Sequence, residues 1–484
     1  MKKNNFTLSD WLIFIVILII ALAFRLYKID SPLADFHSWR QADTAAVARN
    51  FIKAGFDLLH PQYDDLSSIQ SGKDNPEGLR LVEFPLYNAC FALLNKYLPI
   101  FSLEIYGRLV STFASLVVIG IIYYLLVKEA SRLSAVIAGL TYATFPFFVF
   151  FSRVILPESS ALACAFLAIF FLYIYQQKNN FWQVIYYFLA LIFFSTALLI
   201  KPTTIFYALV LFYLFARKNK AKVFTHWTMY LFFILTLLPL LLWRQYIQSY
   251  PQAIPASEWL LFSVNTPQGL QKIFFRPSFL RWIFFERINN LIFGGFAGGF
   301  FLLGIVRKNR SWLFPVILIA ALAYLLTFQG GNLQHAYYQT LIFPALAIFT
   351  GLGVDLLFTQ PKIFINPFLS TILVIAVLVT SWFFSYYQVR NYYQYSPDLL
   401  KIAKIIKTLT LPEDKIVTDT LGDTTLLYLS ERKGYPAPIE NFDRLKNKGL
   451  KYFVTMQTDV IHSLKKTNQY PLIFENDKFA IFEL

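Results

Sequence analysis

Repeated apolar runs constrain this chain more than any other feature of its sequence. The runs are about 18–25 residues long, the length that an α-helix needs to cross the hydrocarbon core of a bilayer. Hydrophobic residues make up 57% of the 484 positions, and the mean hydropathy is +0.52. The sequence therefore predicts a polytopic α-helical membrane protein. About eleven spans are expected, over residues 8–26, 105–127, 133–152, 156–176, 182–199, 202–216, 226–246, 289–306, 312–328, 337–357 and 367–387.

The first apolar run is predicted to be a retained span rather than a signal peptide. Lys2 and Lys3 precede it, and no small-residue cleavage site follows it. The two cysteines, Cys90 and Cys164, lie far apart in apolar surroundings. This is not the pattern of a disulfide framework or of a cysteine metal site.

The net charge of +15 is explained by membrane topology and contact with anionic lipid rather than by nucleic-acid binding, because Lys and Arg cluster in loops between the apolar runs.

The stretch 84–100 is apolar but short. If it lies at the interface instead of crossing, the basic loops at 217–222 and 307–310 fall in the cytoplasm with the N-terminus. The first loop, 27–104, and the C-terminal tail are then outside. We expect a bacterial inner or plasma membrane.

The composition changes near residue 390. Residues 1–389 form the predicted membrane domain, whose 27–104 loop is too long for a plain connector. Residues 390–484 contain strand-like stretches, "DKIVTD", "YFVTMQ" and "FAIFEL", and amphipathic helical runs such as "PDLLKIAKIIKTL". We therefore expect a small extracytoplasmic α/β domain at the C-terminus.

The stretch "DFHSWRQADTAAVARNF" concentrates polar residues at the start of the predicted outer loop. Ser38 suits a helix N-cap and Gly55 a helix stop, which predicts a surface helix over 39–54. Its polar residues either form a solvated face or line a pocket, since apolar residues surround them. The candidate site residues here are Asp35, His37, Arg40, Gln41 and Asp43.

Glu158 stands at the head of an apolar helix, in a part of the chain with few acidic residues. Of the 28 acidic residues, ten lie in the 27–104 loop and twelve in the C-terminal tail. A carboxylate within a membrane helix is costly unless it is paired or faces water. One interpretation is a helix N-terminus after Pro157, where the dipole stabilises the carboxylate. The other is a functional carboxylate in an outer cavity, one turn from Arg153.

Cations also end apolar segments on the predicted outer side. Lys201 either snorkels to the interface or faces a substrate, and His335 is either a structural histidine or a site residue. The 247–288 loop is either a lipid-binding interfacial helix or part of a site. Its cations are Lys272, Arg276, Arg281 and Arg287. Cations bind phosphate groups, and carboxylates can remove a proton from a substrate. Because both kinds of residue are predicted on one membrane face, we expect phosphate binding and proton abstraction at the same face.

This layout resembles the polytopic glycosyltransferases that use polyprenyl-phosphate sugars, of the protein O-mannosyltransferase and lipid A aminoarabinose transferase type, which have the GT-C fold. The resemblance covers most of residues 8–390. It rests on the long first loop with an acidic helix that ends in Gly, and on the motifs "EFPLYN", "GRLVS", "SRVILPE" and "LLIKP". It implies the GT-C fold, and it adds Glu83 and Arg108 to the candidate substrate-binding residues.

Two departures from the family pattern affect the site. The family's Asp-Glu pair in the first loop is absent, and Arg40 and Gln41 stand in its place. The resemblance therefore implies that the catalytic carboxylate is either Asp43, one turn on, or Asp35. Family members often carry a basic residue before Pro-Leu, whereas this chain has Glu83. Phosphate binding does not carry over to that position.

The sequence thus predicts an inverting glycosyltransferase on the outer face of the membrane. Nucleotide sugars are not available there, so the donor must be a polyprenyl-phosphate sugar. The carboxylate would activate an acceptor hydroxyl on a lipid, a polysaccharide or a protein. Cations such as Arg40 and Lys201, or a divalent metal (Mg²⁺ or Mn²⁺), would offset charge on the leaving phosphate. No dedicated metal-ligand spacing is present.

Two alternatives differ in what is done with the lipid-linked sugar. A lipid-linked oligosaccharide flippase or exporter would be expected to show paired half-repeats and polar residues near the bilayer midplane. The sequence has no visible repeat, and its polar residues gather at one face. A glycan ligase or polymerase shares the donor chemistry and differs in its acceptor.

The topology is tested by labelling single cysteines with an impermeant thiol reagent, in a chain whose Cys90 and Cys164 are replaced by Ser. We expect Lys73→Cys and Lys466→Cys to react from outside intact cells, and Lys220→Cys to react only after permeabilisation. Protection of position 73 would contradict the outer placement of the first loop and, with it, the inference of a lipid donor.

Overall fold

The computed structural model describes residues 6–178, 180–255, 276–308, 311–359 and 366–484. Its α-helices are α1 (Leu8–Leu26), α2 (Ser38–Ala54), α3 (Leu86–Tyr97), α4 (Leu103–Glu129), α5 (Arg132–Thr144), α6 (Pro146–Phe151), α7 (Glu158–Tyr175), α8 (Phe181–Ile200), α9 (Ala208–Asn219), α10 (Trp227–Tyr246), α11 (Pro277–Leu280), α12 (Gly298–Val306), α13 (Leu313–Thr327), α14 (Gln329–Gln334), α15 (Phe343–Thr359), α16 (Pro367–Val389), α17 (Pro397–Leu409), α18 (Thr425–Ser430), α19 (Phe442–Asn447) and α20 (Thr458–Thr467). Its strands are β1 (Lys415–Thr418), β2 (Gly434–Tyr435), β3 (Leu450–Thr455), β4 (Leu472–Glu475) and β5 (Ala480–Glu483).

The chain divides into two compact units. The helical unit comprises the described parts of Met1–Ile29, Arg108–Arg244 and Ser257–Tyr392. The mixed unit comprises the described parts of Asp30–Gly107, Gln245–Ala256 and Tyr393–Leu484. The 27–104 loop and the C-terminal tail, which are distant in sequence, therefore fold together in the mixed unit.

Long apolar helices confirm a multi-pass α-helical membrane protein. Within the described residues, seven helical stretches are long and apolar enough to span a membrane. They are Leu8–Leu26, Leu103–Glu129, Glu158–Tyr175, Phe181–Ile200, Trp227–Ser249, Ala336–Thr359 and Pro367–Leu409.

The other four predicted spans, 133–152, 202–216, 289–306 and 312–328, contain shorter or interrupted helices. Proline lacks the N–H that continues an α-helix. Accordingly Pro146 separates α5 from α6, and a 3₁₀ turn, Pro202–Tyr207, precedes α9. Glycines 294 and 295, both with positive φ, lie between a π-helix, Arg281–Ile292, and α12. The last of the four contains α13, which has only 15 residues.

Helices α12 and α15 pack closely because glycines face backbone across their contact. A Cβ on Gly304 would lie 1.9 Å from the carbonyl oxygen of Phe349, and one on Gly353 would lie 1.8 Å from that of Phe300. Small residues allow this approach between membrane helices. Any larger residue at either position would force the two backbones apart.

Helix α3 has 12 residues and is therefore about 18 Å long, against the roughly 30 Å of a hydrocarbon core. It cannot span a bilayer by itself. This length supports the prediction that the apolar stretch 84–100 lies at the interface.

The C-terminal part of the mixed unit confirms the predicted small α/β domain. Its five-stranded sheet has the order β2-β1-β3-β5-β4, in which β1 pairs in parallel with β2 and β3, and β5 pairs antiparallel with β3 and β4. The predicted strand-like stretches correspond to β1, β3 and β5, and the amphipathic run corresponds to α17.

The 27–104 loop joins this sheet at the short edge strand β2. The backbone N–H of Leu66 donates to the carbonyl of Gly434 at 2.8 Å, and the N–H of Gly434 donates to that of Asp64 at 2.9 Å. The Leu66 side chain is buried in the same cluster as Val417 and Phe453. Sheet pairing and apolar burial together hold the loop against the C-terminal domain.

Asp65 is fully buried where the loop meets β2. Its Oδ1 accepts a hydrogen bond from the backbone N–H of Ser67 at 2.8 Å. Burial raises the pKa of Asp65 to about 7, with a smaller contribution from the negative charge of Asp43. The folded mixed unit therefore holds a proton on Asp65 at pH values where the unfolded chain has lost it.

This raised pKa predicts a pH-dependent stability. Below about pH 4 the folded and the unfolded chain both hold the proton on Asp65, and burial of this residue costs no stability through its ionisation. Between about pH 4 and 7 only the folded chain holds the proton, so the free energy of unfolding decreases by roughly 1.4 kcal/mol per pH unit. Asp65→Asn should remove this slope. In detergent, the Tm of the variant minus that of the wild type should increase between pH 4 and 7. A constant difference would contradict a protonated, buried Asp65.

Candidate active site

Helix α2 places its polar residues on buried rather than solvated positions. Arg40, Gln41, Asp43 and Thr44 have relative exposures of 6, 0, 1 and 4%. The solvated-face interpretation of this stretch is therefore wrong. The helix begins at Ser38 with His37, in the left-handed conformation, as its N-cap, and ends before Gly55.

The expectation that Ser38 caps the helix is also wrong. Its hydroxyl oxygen accepts a hydrogen bond from the hydroxyl of Thr425 at 2.9 Å. The residue that was expected to cap α2 thus connects it to α18 of the C-terminal domain.

Asp43 is held by two groups that come from other parts of the mixed unit. Nη2 of Arg80 lies 2.9 Å from its Oδ2, and the hydroxyl of Thr424 donates to its Oδ1 at 2.7 Å. The Arg80 guanidinium lies over the ring of Tyr63 at 4.9 Å. Burial raises the pKa of Asp43, while the charges of Arg80 and Arg40 oppose the shift. The result is a carboxylate with fixed geometry and increased basicity.

The neighbouring candidate residues form two further contacts in the same unit. Nη2 of Arg40 lies 2.8 Å from both carboxylate oxygens of Glu83. Nε2 of Gln41 donates to Oδ1 of Asp35 at 2.7 Å and to the carbonyl of Phe36 at 3.1 Å. Arg40 and Gln41, neighbours on α2, are thus each bound to a carboxylate.

In the helical unit, Glu158 and Lys201 form a buried ion pair. Nζ of Lys201 lies 2.8 Å from Oε1 of Glu158, and the side chains are 8% and 2% exposed. Glu158 opens α7 after Pro157, and Lys201 follows the last residue of α8. The snorkelling interpretation of Lys201 is wrong, because its ammonium group is buried against a carboxylate.

The sequence predicts Arg153 as the neighbour of Glu158, one helical turn away. In the structure the described hydrogen bonds of Arg153 go to backbone carbonyls instead. Its Nη1 donates to the carbonyls of Tyr27 and Lys28 at 2.7 and 2.8 Å. Nη1 of Arg108 donates to the carbonyl of Ile29 at 2.8 Å. Both arginines are fully buried. They hold the three-residue segment that leads out of the first helix, and their roles in substrate binding stay predictions.

His335 is linked to the ion pair through the ring of Tyr338. Its ring stacks on Tyr337 and Tyr338, with centroids 5.4 and 6.0 Å apart, and the Tyr338 ring lies 5.3 Å from Nζ of Lys201. The structure therefore brings three sequence-predicted residues, Glu158, Lys201 and His335, into one cluster.

The arginines of the 247–288 loop are less well supported. Arg276 is exposed at the start of α11. The Arg281 side chain is 76% exposed and pairs with Glu286 at 3.4 Å. Arg287 lies 5.5 Å from the ring of Trp282. Lys272 lies outside the described residues.

Sequence reasoning missed several residues of both clusters. In the mixed unit it missed Arg80, Thr424 and Tyr63, which contact Asp43 or its partner. In the helical unit it missed Tyr324, whose hydroxyl donates to the carbonyl of Tyr338 at 3.1 Å. The stretch "FQGGNLQHAYYQT", which has several amides between apolar helices, was a visible signal of this second cluster.

The described residues do not fit a divalent metal centre. Among them, no group of three or more His, Cys, Asp or Glu side chains is arranged to hold an ion. Asp43 contacts a guanidinium and a hydroxyl, and Asp35 contacts an amide, so both carboxylates already bind donors. Metal dependence stays a prediction from sequence, and no step of the chemistry is assigned to a metal.

Solved structures resemble this chain over almost its whole length. It matches ArnT from Cupriavidus metallidurans bound to undecaprenyl phosphate with a TM-score of 0.66 at 13% identity, over 99% of this chain and 98% of that one. The chain has the GT-C fold. The archaeal oligosaccharyltransferase AglB from Archaeoglobus fulgidus, in complex with an inhibitory peptide and a dolichol-phosphate, matches with a TM-score of 0.57 at 12% identity, over 93% of this chain and 69% of that one.

A comparison of the sequence with family models finds a match over part of the chain. Residues 93–243 match the dolichyl-phosphate-mannose-protein mannosyltransferase family model. This region includes Glu158 and Lys201 and ends before the C-terminal α/β domain. No curated protein sequence matches the chain.

The buried pair of the helical unit predicts a strong effect of single substitutions. Lys201→Met leaves Glu158 buried without a counter-charge, which should cost about 3–5 kcal/mol. The double variant Lys201→Met/Glu158→Gln should recover most of the loss. Thermal unfolding in detergent measures both, with Arg281→Met, from an exposed pair, as the control of unchanged Tm. A Lys201→Met protein as stable as the wild type would contradict the buried pair.

Proposed function

We propose that this protein is an inverting glycosyltransferase that moves a sugar from a polyprenyl-phosphate donor to an acceptor hydroxyl on the outer face of the membrane. The observation that carries the proposal is the match over 98–99% of both chains to ArnT bound to undecaprenyl phosphate. The match to AglB in complex with a dolichol-phosphate supports the same class of donor. The acceptor is a lipid, a polysaccharide or a protein of the cell envelope.

Asp43 is the proposed general base. A neutral hydroxyl is a weak nucleophile, so a carboxylate that takes its proton as the new bond forms accelerates the reaction. The acceptor oxygen bonds to the anomeric carbon from the face opposite the phosphate, the carbon–oxygen bond to the phosphate breaks, and polyprenyl phosphate leaves with the electron pair. Burial increases the basicity of Asp43, and Arg80 and Thr424 fix its orientation.

Asp35 is the alternative base. It lies two helical turns before Asp43 in sequence and is 3% exposed. Its Oδ1 accepts a hydrogen bond from Nε2 of Gln41 at 2.7 Å, which helps to orient the carboxylate. The proposal therefore requires a direct comparison of the two aspartates.

In the helical unit, Lys201 is the proposed cation for the phosphate of the donor. A cation that is already oriented stabilises the charge that develops on a leaving phosphate without reorganisation during the reaction. Glu158 holds the ammonium group in place through the 2.8 Å ion pair. Its proposed role is therefore to position Lys201, and Glu158→Gln should reduce turnover through that contact.

Asp43→Asn should reduce turnover about 10²- to 10⁴-fold, because a general base typically contributes that much. Turnover is measured with polyprenyl-phosphate sugars and a membrane extract as the source of acceptor. Asp35→Asn should have a much smaller effect, since an amide oxygen still accepts the hydrogen bond from Gln41. Asp57→Asn and Asp74→Asn, on exposed parts of the same loop, are the controls with nearly unchanged turnover.

A second variant shows whether a loss of turnover in Asp43→Asn has a structural or a catalytic cause. Asp43→Asn leaves Arg80 buried without its anion, so stability is expected to decrease. In Asp43→Asn/Arg80→Gln the unpaired charge is gone and Tm should recover, while turnover should stay low. Recovery of turnover would give Asp43 a structural role, and activity lost only in Asp35→Asn would make Asp35 the base.

A further inference from the structure

A group of uncharged polar side chains is buried in the helical unit between α13 and α15. We call Gln329, Asn332, Gln339 and Thr340 the amide cluster. All four have a relative exposure of 0%. They lie in and just after α14, in the stretch that breaks the apolar pattern of the surrounding helices. Uncharged polar side chains buried this deeply require hydrogen-bond partners.

The N–H groups of the three amides have such partners. Nε2 of Gln329 donates to the carbonyl of Leu326 at 2.9 Å, and Nδ2 of Asn332 donates to that of Phe328 at 2.8 Å. Nε2 of Gln339 donates to the backbone carbonyl and the side-chain oxygen of Asn332 at 2.9 and 3.0 Å. These contacts fix the direction in which each amide oxygen points.

Three side-chain oxygen atoms of the amide cluster differ from these N–H groups. Oε1 of Gln329, Oε1 of Gln339 and Oγ1 of Thr340 are buried and have no hydrogen-bond partner among the described residues. Buried acceptors without donors are uncommon in folded proteins and call for an explanation, such as a bound molecule. Because two of these atoms accept only, their partner must carry N–H or O–H groups.

The amide cluster is connected to the Glu158–Lys201 pair. The Tyr324 hydroxyl lies near the Asn332 side chain and within the electrostatic influence of Lys201 and Glu158. The Tyr324 hydroxyl donates to the carbonyl of Tyr338, whose ring lies 5.3 Å from Nζ of Lys201. A cation and a set of acceptor oxygens therefore belong to one buried network.

Two hydroxyl groups lie close in sequence to the members of the ion pair. Oγ of Ser160, two residues after Glu158, and Oγ1 of Thr203, two residues after Lys201, also have no hydrogen-bond partner within the described parts of the chain. Hydroxyls both donate and accept, so they suit a ligand that itself carries hydroxyls. A sugar phosphate has this chemistry, with an anion at one end and several O–H groups at the other.

We propose that the amide cluster binds hydroxyl groups of the donor sugar, through Oε1 of Gln329, Oε1 of Gln339 and the Thr340 hydroxyl. The inference rests on the proposed function, which supplies the polyprenyl-phosphate sugar. It assigns selection of the sugar to residues that take no part in proton transfer or phosphate binding. Ordered water is the competing occupant, since water also donates to buried acceptors.

The experiment compares binding of two kinds of lipid to the purified full chain. The probes are undecaprenyl phosphate and a panel of undecaprenyl-phosphate hexoses and pentoses, and native mass spectrometry gives their relative affinities. We expect the wild type to bind one sugar-bearing lipid better than undecaprenyl phosphate. Gln329→Met and Gln339→Met should each reduce this advantage about tenfold, because each removes one buried hydrogen-bond acceptor.

Three controls separate loss of the sugar contact from misfolding. Affinity for undecaprenyl phosphate itself should be unchanged in both variants, which a misfolded protein would not show. Thr340→Val keeps the side-chain shape and should also reduce the advantage. Gln183→Met is the matched control with unchanged affinities, since Gln183 lies 18 residues before Lys201, about 27 Å along α8.

The outcomes distinguish the two proposals. If the wild type prefers a sugar-bearing lipid and the three variants keep the full preference, water fills the amide cluster and this inference is overturned while the proposed function stands. If the wild type binds sugar-bearing and bare lipid equally, the inference also fails. If the wild type binds neither kind of lipid, the proposed function fails and the inference falls with it.

Discussion

A carboxylate that is almost completely buried needs a fixed counter-charge, and much of the mixed unit is arranged to provide one for Asp43. Arg80 comes from the same loop but 37 residues later, and Thr424 comes from the C-terminal domain. The hydrogen bond between Thr425 and Ser38 reinforces the second contact. These interactions form only when α2, the outer loop and α18 have come together. The proposed base is therefore also a structural element, and a change at Asp43 alone alters both its chemistry and the stability of its surroundings.

The elements that local patterns determine could be predicted from the sequence. The amphipathic run at 397–409 is helix α17 to the residue, and α2 begins one residue before its predicted start. The strand-like stretches of the tail correspond to β1, β3 and β5, because alternating apolar and polar residues are typical of a strand with one buried face. Seven predicted spans correspond to long apolar helices, whereas prolines and glycines divide or shorten several others in ways that hydropathy alone does not reveal.

Partners that depend on tertiary structure could not be predicted in the same way. Glu158 was assigned Arg153 by helical spacing, but helical spacing does not hold across the turn before α7, and Lys201 supplies the charge. Arg80 gave no local signal, since its partner lies on another element. The amides at 329, 332 and 339 were visible but do not titrate, so reasoning from charge passed over them. The role proposed for them depends on which of their atoms lack partners among the described residues, and only the structure shows this.

The way Arg108 and Arg153 hold residues 27–29 has a consequence for substitutions in this segment. Both arginines bind backbone carbonyls, which every amino acid possesses, and the side chains of Tyr27 and Lys28 are exposed. The hold of the two arginines on this segment therefore does not depend on which side chains residues 27–29 carry. A substitution at one of these positions leaves the acceptor carbonyl in place, whereas the loss of either arginine removes the donor.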